Sequence, residues 1–170
     1  MLQRPNQNEF PEYYVPYVQL VPEGDLLQTL EKNLVKMENL FAGISDEDSL
    51  FRYAEGKWSI KEVLGHITDT ERIMSYRLLR VGRGDHTPLA GFDENLYVKG
   101  SQINKIPIKN ILNDFIATRR ATITLIQNMP EEAWSYKGIA NNLEITAGAI
   151  AYIIAGHEMH HRKIINEKYL

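Results

Sequence analysis

The residues with most chemistry to offer lie near the end of the chain, in Gly156-His157-Glu158-Met159-His160-His161. Three of the five histidines in the 170-residue sequence fall within this run. His157 and His161 are four apart, so a helix stacks them one turn above each other on one face. That spacing lets two imidazoles grip one metal ion. Ile150, Ile153, Ile154, Ile164 and Ile165 recur at helical period around them, which turns the pair toward a core. His160 is displaced by one residue and faces elsewhere. A lone histidine on an apolar face is ordinarily a core residue with one hydrogen-bond partner. Two on the same face need partners in the same dry space, which favours a metal.

A third imidazole comes from His66. Ser59 and Glu62 form an S-x-x-E capping box that opens a helix from about Ile60 to about Val81, ending near Gly82. Val63, Ile67, Met74 and Leu78 mark its buried side, and His66, about two turns in, flanks that stripe with Thr70 and Ile73. Core packing is the competing reading for His66, and beside the other two it gives way. Three neutral imidazoles suit zinc or nickel, with iron or copper possible. Three protein ligands leave positions for water or substrate, as catalytic rather than structural sites do. An ion held there depresses the pKa of a bound water or thiol and creates a nucleophile at neutral pH.

His157-Glu158-Met159-His160-His161 also matches H-E-x-x-H, in which the glutamate of a zinc protease is the general base. Such proteases take their third ligand downstream, yet no histidine follows His161. The carboxylate there, Glu167, falls on the same helix, and no strand offers a substrate edge. The protease reading is therefore set aside.

The elements that must position these residues follow from period and punctuation. Residues 1–21 carry Pro5, Pro11 and Pro16 among Tyr13, Tyr14 and Tyr17, and predict an extended arm whose aromatics pack on the remainder, residues 22–170. Pro22 is expected to start a first helix with Leu26, Leu27, Leu30, Leu34, Met37 and Phe41 as its stripe, stopped by Gly43. Residues 45–51 read as one capped turn. Residues 82–106 form a connection of about 25 residues carrying His86, Asp93, Glu94 and Tyr97, a length that is often functional and permits a crossover. Pro107 opens a third helix with Ile111, Leu112, Phe115, Ile116, Ile123 and Ile126 inside and Pro130 beyond its end. Pro130 to Trp134 reads as a short turn, and Ser135 to Ile145 as a loop or a strand-like excursion. Thr146 caps the last helix. Four long amphipathic helices make an all-α four-helix bundle.

Composition bounds the function. The chain is 44% hydrophobic and 24% charged, which is ordinary for one globular domain. It has no cysteine, hence no disulfide, no thiolate ligand and no thiol nucleophile of its own. The formal net charge of −3 and the scattered basic residues give no footprint for nucleic acid. No run reaches transmembrane length and the N-terminus lacks an apolar leader core, so a cytoplasmic protein is expected.

Trp58-Ser59 leading into Leu64-Gly65-His66-Ile67-Thr68-Asp69-Thr70-Glu71 resembles the second-helix signature W-[ST]-x-x-x-[VL]-x-x-H-[LI]-x-D-x-E of the DinB/YfiT-like superfamily of metalloenzymes. The terminal H-x-x-x-H is matched by His157 and His161, and Gly91-Phe92-Asp93-Glu94 is similar to the long loop of YfiT-like bacillithiol transferases. The resemblance covers about residues 20–168. It implies up-down-down-up topology, with the long connection between helices 2 and 3, and a divalent ion (zinc or nickel) on His66, His157 and His161 with water completing the shell. It also implies a homodimer, and a reaction in which some members transfer a low-molecular-weight thiol to an electrophile. On that reading Asp69 tunes the site from behind the ligands, Asp93, Glu94 and Tyr97 line the mouth, and Arg72 or Arg77 meets a carboxylate of the thiol. A solvated helix face, a loop surface and surface ion pairs are the plainer alternatives for these residues. The same triad equally serves a metal-dependent hydrolase that activates water, or a non-enzymatic dimeric bundle with a structural metal.

Overall fold

A computed structural model describes residues 2–170 of the chain. Its first long helix, α2 (Leu26–Ala42), follows a shorter one, α1 (Val15–Leu20), in the N-terminal arm. The arm is therefore not simply extended. Pro16 sits in the first turn of α1, where its missing N–H has no intrahelical partner to lose. α2 starts later than Pro22, because Gly24 turns the chain at φ +118° and Asp25 caps the helix by accepting from the Gln28 N–H. Gly43 ends it.

α3 (Ile60–Gly82) opens on the Ser59–Glu62 capping box and runs to the glycine that the sequence marks. The long connection is not all loop. It contains a helix, α4 (Glu94–Ser101), whose N-terminus Asp93 caps by accepting from the Asn95 and Leu96 N–H groups. α5 (Ile108–Gln127) follows Pro107. Next comes a hairpin, β1 (Lys137–Ala140) against β2 (Leu143–Thr146), turned by Asn141 and Asn142 at φ 51° and 63°. Thr146 then caps α6 (Ala147–Ile164) by accepting from the Ala149 N–H, and the last residues widen into a π-helix over Ile165–Tyr169.

End-to-end contacts give the helix directions. Just beyond α2, Asp46 pairs with Lys61 at the start of α3 (2.8 Å) and accepts from the Ile108 N–H at the start of α5 (2.7 Å). At the far ends of α3 and α5, Gly82 packs on Met129. Tyr169, following α6, donates to the Trp58 carbonyl just before α3. So α3 and α5 are parallel, α2 and α6 oppose them, and the bundle is up-down-down-up with α4 in the crossover.

The apolar interior falls into two clusters. One gathers Leu30, Leu78, Ile126, Ile150 and Ile153; the other gathers Met37, Leu64, Ile67, Phe115 and Ile165. A buried ionic layer belongs to neither. Arg119 donates through two nitrogens to Glu71, both at 2.8 Å, and lies 3.7 Å from Glu158. Glu158 also accepts from Arg162 at 2.7 Å. Glu71, Arg119 and Glu158 are at most 3% exposed, so α3, α5 and α6 are tied together by charges none of which can be removed singly without leaving another buried and uncompensated. No helix among the described residues is long and apolar enough to cross a membrane.

Candidate metal centre

The start of α3 is fixed from several sides before it delivers His66. Ser59 Oγ and the Glu62 carboxylate both bond the Asn104 side-chain amide, at 2.7 and 2.8 Å. The Trp58 indole lies 4.7 Å from the His66 ring, centroid to centroid. On the opposing helix, Gly156 lets the arm approach. A Cβ there would stand 2.0 Å from the Tyr17 carbonyl oxygen, so only glycine fits between α6 and α1. The Tyr17 ring then meets His157 edge-on at 5.5 Å.

His66, His157 and His161 converge. One ring nitrogen from each lies within 4.8 Å of the others, and the Nε2 atoms of His66 and His157 are 3.0 Å apart. Burial pushes all three below the usual imidazole range, His66 to about 4 and His161 to about 3. For His157 and His161 the neighbouring imidazoles add to burial, whereas for His66 the charge of Glu94 opposes it. All three are thus neutral at pH 7, with lone pairs available. A divalent ion binds imidazole at about 2.0–2.1 Å, so ligand nitrogens around one ion stand about 3.4 Å apart, a spacing that nitrogens within 4.8 Å of one another reach by side-chain shifts of about an ångström. The residues fit a divalent ion. Thr70 Oγ1 lies 3.5 Å from His66 Nδ1, one turn along α3.

Beside the triad lies a cavity of about 240 Å³ whose wall includes His66, His157, Tyr14, Tyr17, Thr70, Arg77, Phe92 and Glu94. The hairpin holds its outer wall in place: the Leu89 N–H donates to the Ile139 carbonyl at 2.8 Å, and the Asn141 N–H donates to the Leu89 carbonyl at 2.9 Å. Burial raises the phenols of Tyr14 and Tyr17, which stay protonated and can donate to a ligand.

The remaining sequence candidates divide. Glu94 and Arg77 line the cavity. Asp69 pairs instead with Arg72 at 3.8 Å, and Arg72 in turn pairs with Asp114. Asp93 is a helix cap, and Tyr97, half exposed, packs on Phe92 at the rim of a neighbouring cavity. His160 stands outside the triad with its ring against Tyr17. Glu158 points into the ionic layer, which removes the general base that H-E-x-x-H requires. Tyr14, Tyr17 and Asn141 were not anticipated at the site. The tyrosine cluster of the arm was the available signal, but nothing local says which surface an arm will cover.

The sequence profile of the DinB superfamily matches residues 29–165. A protein of Oceanobacillus iheyensis named "Putative metal-dependent hydrolase" is 23% identical over 137 residues, 79% of this chain and 78% of that protein. Among solved structures, YfiT from Bacillus subtilis, described as "a probable metal-dependent hydrolase with an unusual four-helix bundle topology", superposes with a TM-score of 0.75 at 16% identity. That match covers 86% of this chain and 89% of YfiT. A mycothiol-dependent maleylpyruvate isomerase matches at TM-score 0.68 and 12% identity, over 85% of this chain and 61% of that one. With the profile spanning most of the sequence and the same bundle in both structures, the chain belongs to the DinB superfamily.

Proposed function

We propose that this chain is a metal-dependent enzyme that transfers a low-molecular-weight thiol to a small electrophile, with a divalent ion on His66, His157 and His161. The observation that carries the reading is three neutral imidazoles meeting beside an open cavity, with His66 and His157 in its wall. Their donor set suits zinc or nickel. Bound there, such an ion would supply the Lewis acidity that lowers the pKa of a thiol or a water toward neutral pH.

The protein's own groups do the rest. Burial keeps His66, His157 and His161 unprotonated and so available as ligands. Tyr14 and Tyr17 offer hydroxyl donors to a substrate oxygen, and Phe92 with Ile153 gives the cavity apolar surface against which a substrate excludes water. With no cysteine in the chain, the thiol must come from outside. The mycothiol dependence of the isomerase with the same fold supports this choice.

Hydrolysis is the second reading, favoured by the names of the Oceanobacillus and Bacillus proteins. A panel of thiols with a chromogenic electrophile, run beside ester and amide substrates without thiol, separates the two. Turnover that needs thiol supports transfer; turnover without it supports hydrolysis and overturns our reading. Metal content is measured alongside, for wild type and His161→Ala. About one divalent ion per chain, lost in the variant at unchanged helicity, is expected. No uptake of zinc or nickel by wild type removes both enzymatic readings.

A further inference from the structure

Arg77 stands out among the cations of this protein. It is only 4% exposed, yet among the described residues no carboxylate pairs with it. Its neighbours on α3 behave differently: Arg72 pairs with Asp114 and Arg80 with Asp85. The guanidinium of Arg77 donates to the Ala90 carbonyl at 2.7 Å, approaches Met74 Sδ at 3.4 Å and lies over the Phe92 ring at 5.9 Å. Two neutral acceptors and a ring do not offset the desolvation of a full positive charge, and buried charges in folded proteins are normally paired. The missing counter-charge has a place to sit, because Arg77 lines both the cavity at the triad and an adjoining one of about 350 Å³.

We propose that Arg77 is the anion-recognition residue of this cavity and selects a substrate that carries a carboxylate at the end remote from its reacting atom. The proposal deepens the thiol-transfer reading by naming the class of thiol, although the anion site itself does not depend on that reading. His66 and Arg77 are eleven residues apart on α3, about 16 Å along the axis, and the arginine leans back toward the helix start, leaving roughly 10 Å for the ligand to span. Thr70 and Met74 line the cavity between them. Glu94 lines the same cavity and acts electrostatically on His66 and Tyr17, so the carboxylate this cavity already holds stands at the triad end and leaves Arg77 without a counter-charge at the other. A thiol with its carboxylate several bonds from sulfur satisfies both ends; a bare aliphatic thiol satisfies one.

The test uses S-methylglutathione and its dimethyl ester as probes. Neither has a free thiol, so binding is read independently of metal–thiol chemistry. Calorimetric titration into the purified protein should show wild type preferring the dicarboxylate over the ester by at least about ten-fold, the scale of one hydrogen bond to a charged group. In Arg77→Gln the preference should vanish through loss of dicarboxylate affinity, with ester affinity unchanged. The unliganded variant should melt at or above wild type, since an uncompensated buried charge has been removed. Arg77→Lys, which keeps charge but not the planar fork, should retain part of the preference. No preference in wild type, or one that survives in Arg77→Gln, overturns the proposal. So does a variant that weakens both probes equally or fails to fold, which would make Arg77 a clamp on the Ala90 carbonyl. If thiol turnover is absent while the carboxylate preference holds, the transfer reading falls and the anion site stands.

Discussion

Replacing Arg119 with methionine is the sharpest perturbation of the scaffold that carries the triad. Arg119 is fully buried and holds Glu71 through two 2.8 Å hydrogen bonds, with Glu158 at 3.7 Å. Methionine keeps the length but gives up the guanidinium's place over the Phe115 ring, 5.2 Å from its centroid, and leaves the Glu71 carboxylate buried without its partner. Glu158 retains Arg162 at 2.7 Å. Breaking one side of a buried pair costs about 3–5 kcal/mol. At about 2–4 °C per kcal/mol for a chain of this size, that is a fall in Tm of roughly 6–20 °C. Adding Glu71→Leu removes the stranded charge, so the double variant should recover most of the loss. Thermal denaturation in the presence of a chelator measures both without a contribution from bound metal. A single variant that loses less than about 1 kcal/mol, or a double variant no more stable than the single, would refute the argument that this layer is an ion pair whose members depend on each other.

Three further outcomes are expected. Gly156→Ala places a methyl 2.0 Å from the Tyr17 carbonyl oxygen, so α1 must move away. Despite a helix-propensity gain of about 1 kcal/mol, the variant should be less stable by about 1–2 kcal/mol and its arm more readily cleaved by protease; an unchanged cleavage rate would contradict it. The metal-free protein should lose stability as pH falls from about 6.5 toward 4. Its buried histidines have folded pKa values below the unfolded value, so the unfolded chain takes up protons that the folded one refuses. In His66→Ala that slope should be shallower, and an equal slope would show that other groups set it. Zinc should raise Tm in wild type by a concentration-dependent amount, about 2.7 kcal/mol of stabilisation at a hundred times Kd, and should leave His161→Ala nearly unchanged. Equal stabilisation of both proteins would place the ion elsewhere.

The boundaries of α3 and α6 were legible because capping chemistry is local. Ser59, Glu62, Gly82 and Thr146 bond or turn within a few residues of themselves. The helix α4 was not legible, since eight residues give too little periodicity to separate a helix from a loop, even with Asp93 in capping position. The arm departs from the extended expectation because three prolines oppose helix in general, but Pro16 occupies a first-turn position where its restriction does no harm.

By itself the sequence determined the bundle class, the helix carrying each of His66, His157 and His161 and the sharing of one face by His157 and His161, because these depend on period and on hydrogen bonds close along the chain. Tertiary structure alone decided that His66 meets that pair across two antiparallel helices, that Glu158 turns to Arg119 instead of the cavity, and that Tyr14, Tyr17 and Arg77, with no carboxylate partner among the described residues, complete its wall. Those partners lie tens of residues or more apart in the chain. Their meeting depends on how the α4 crossover and the arm pack, and no local periodicity encodes that.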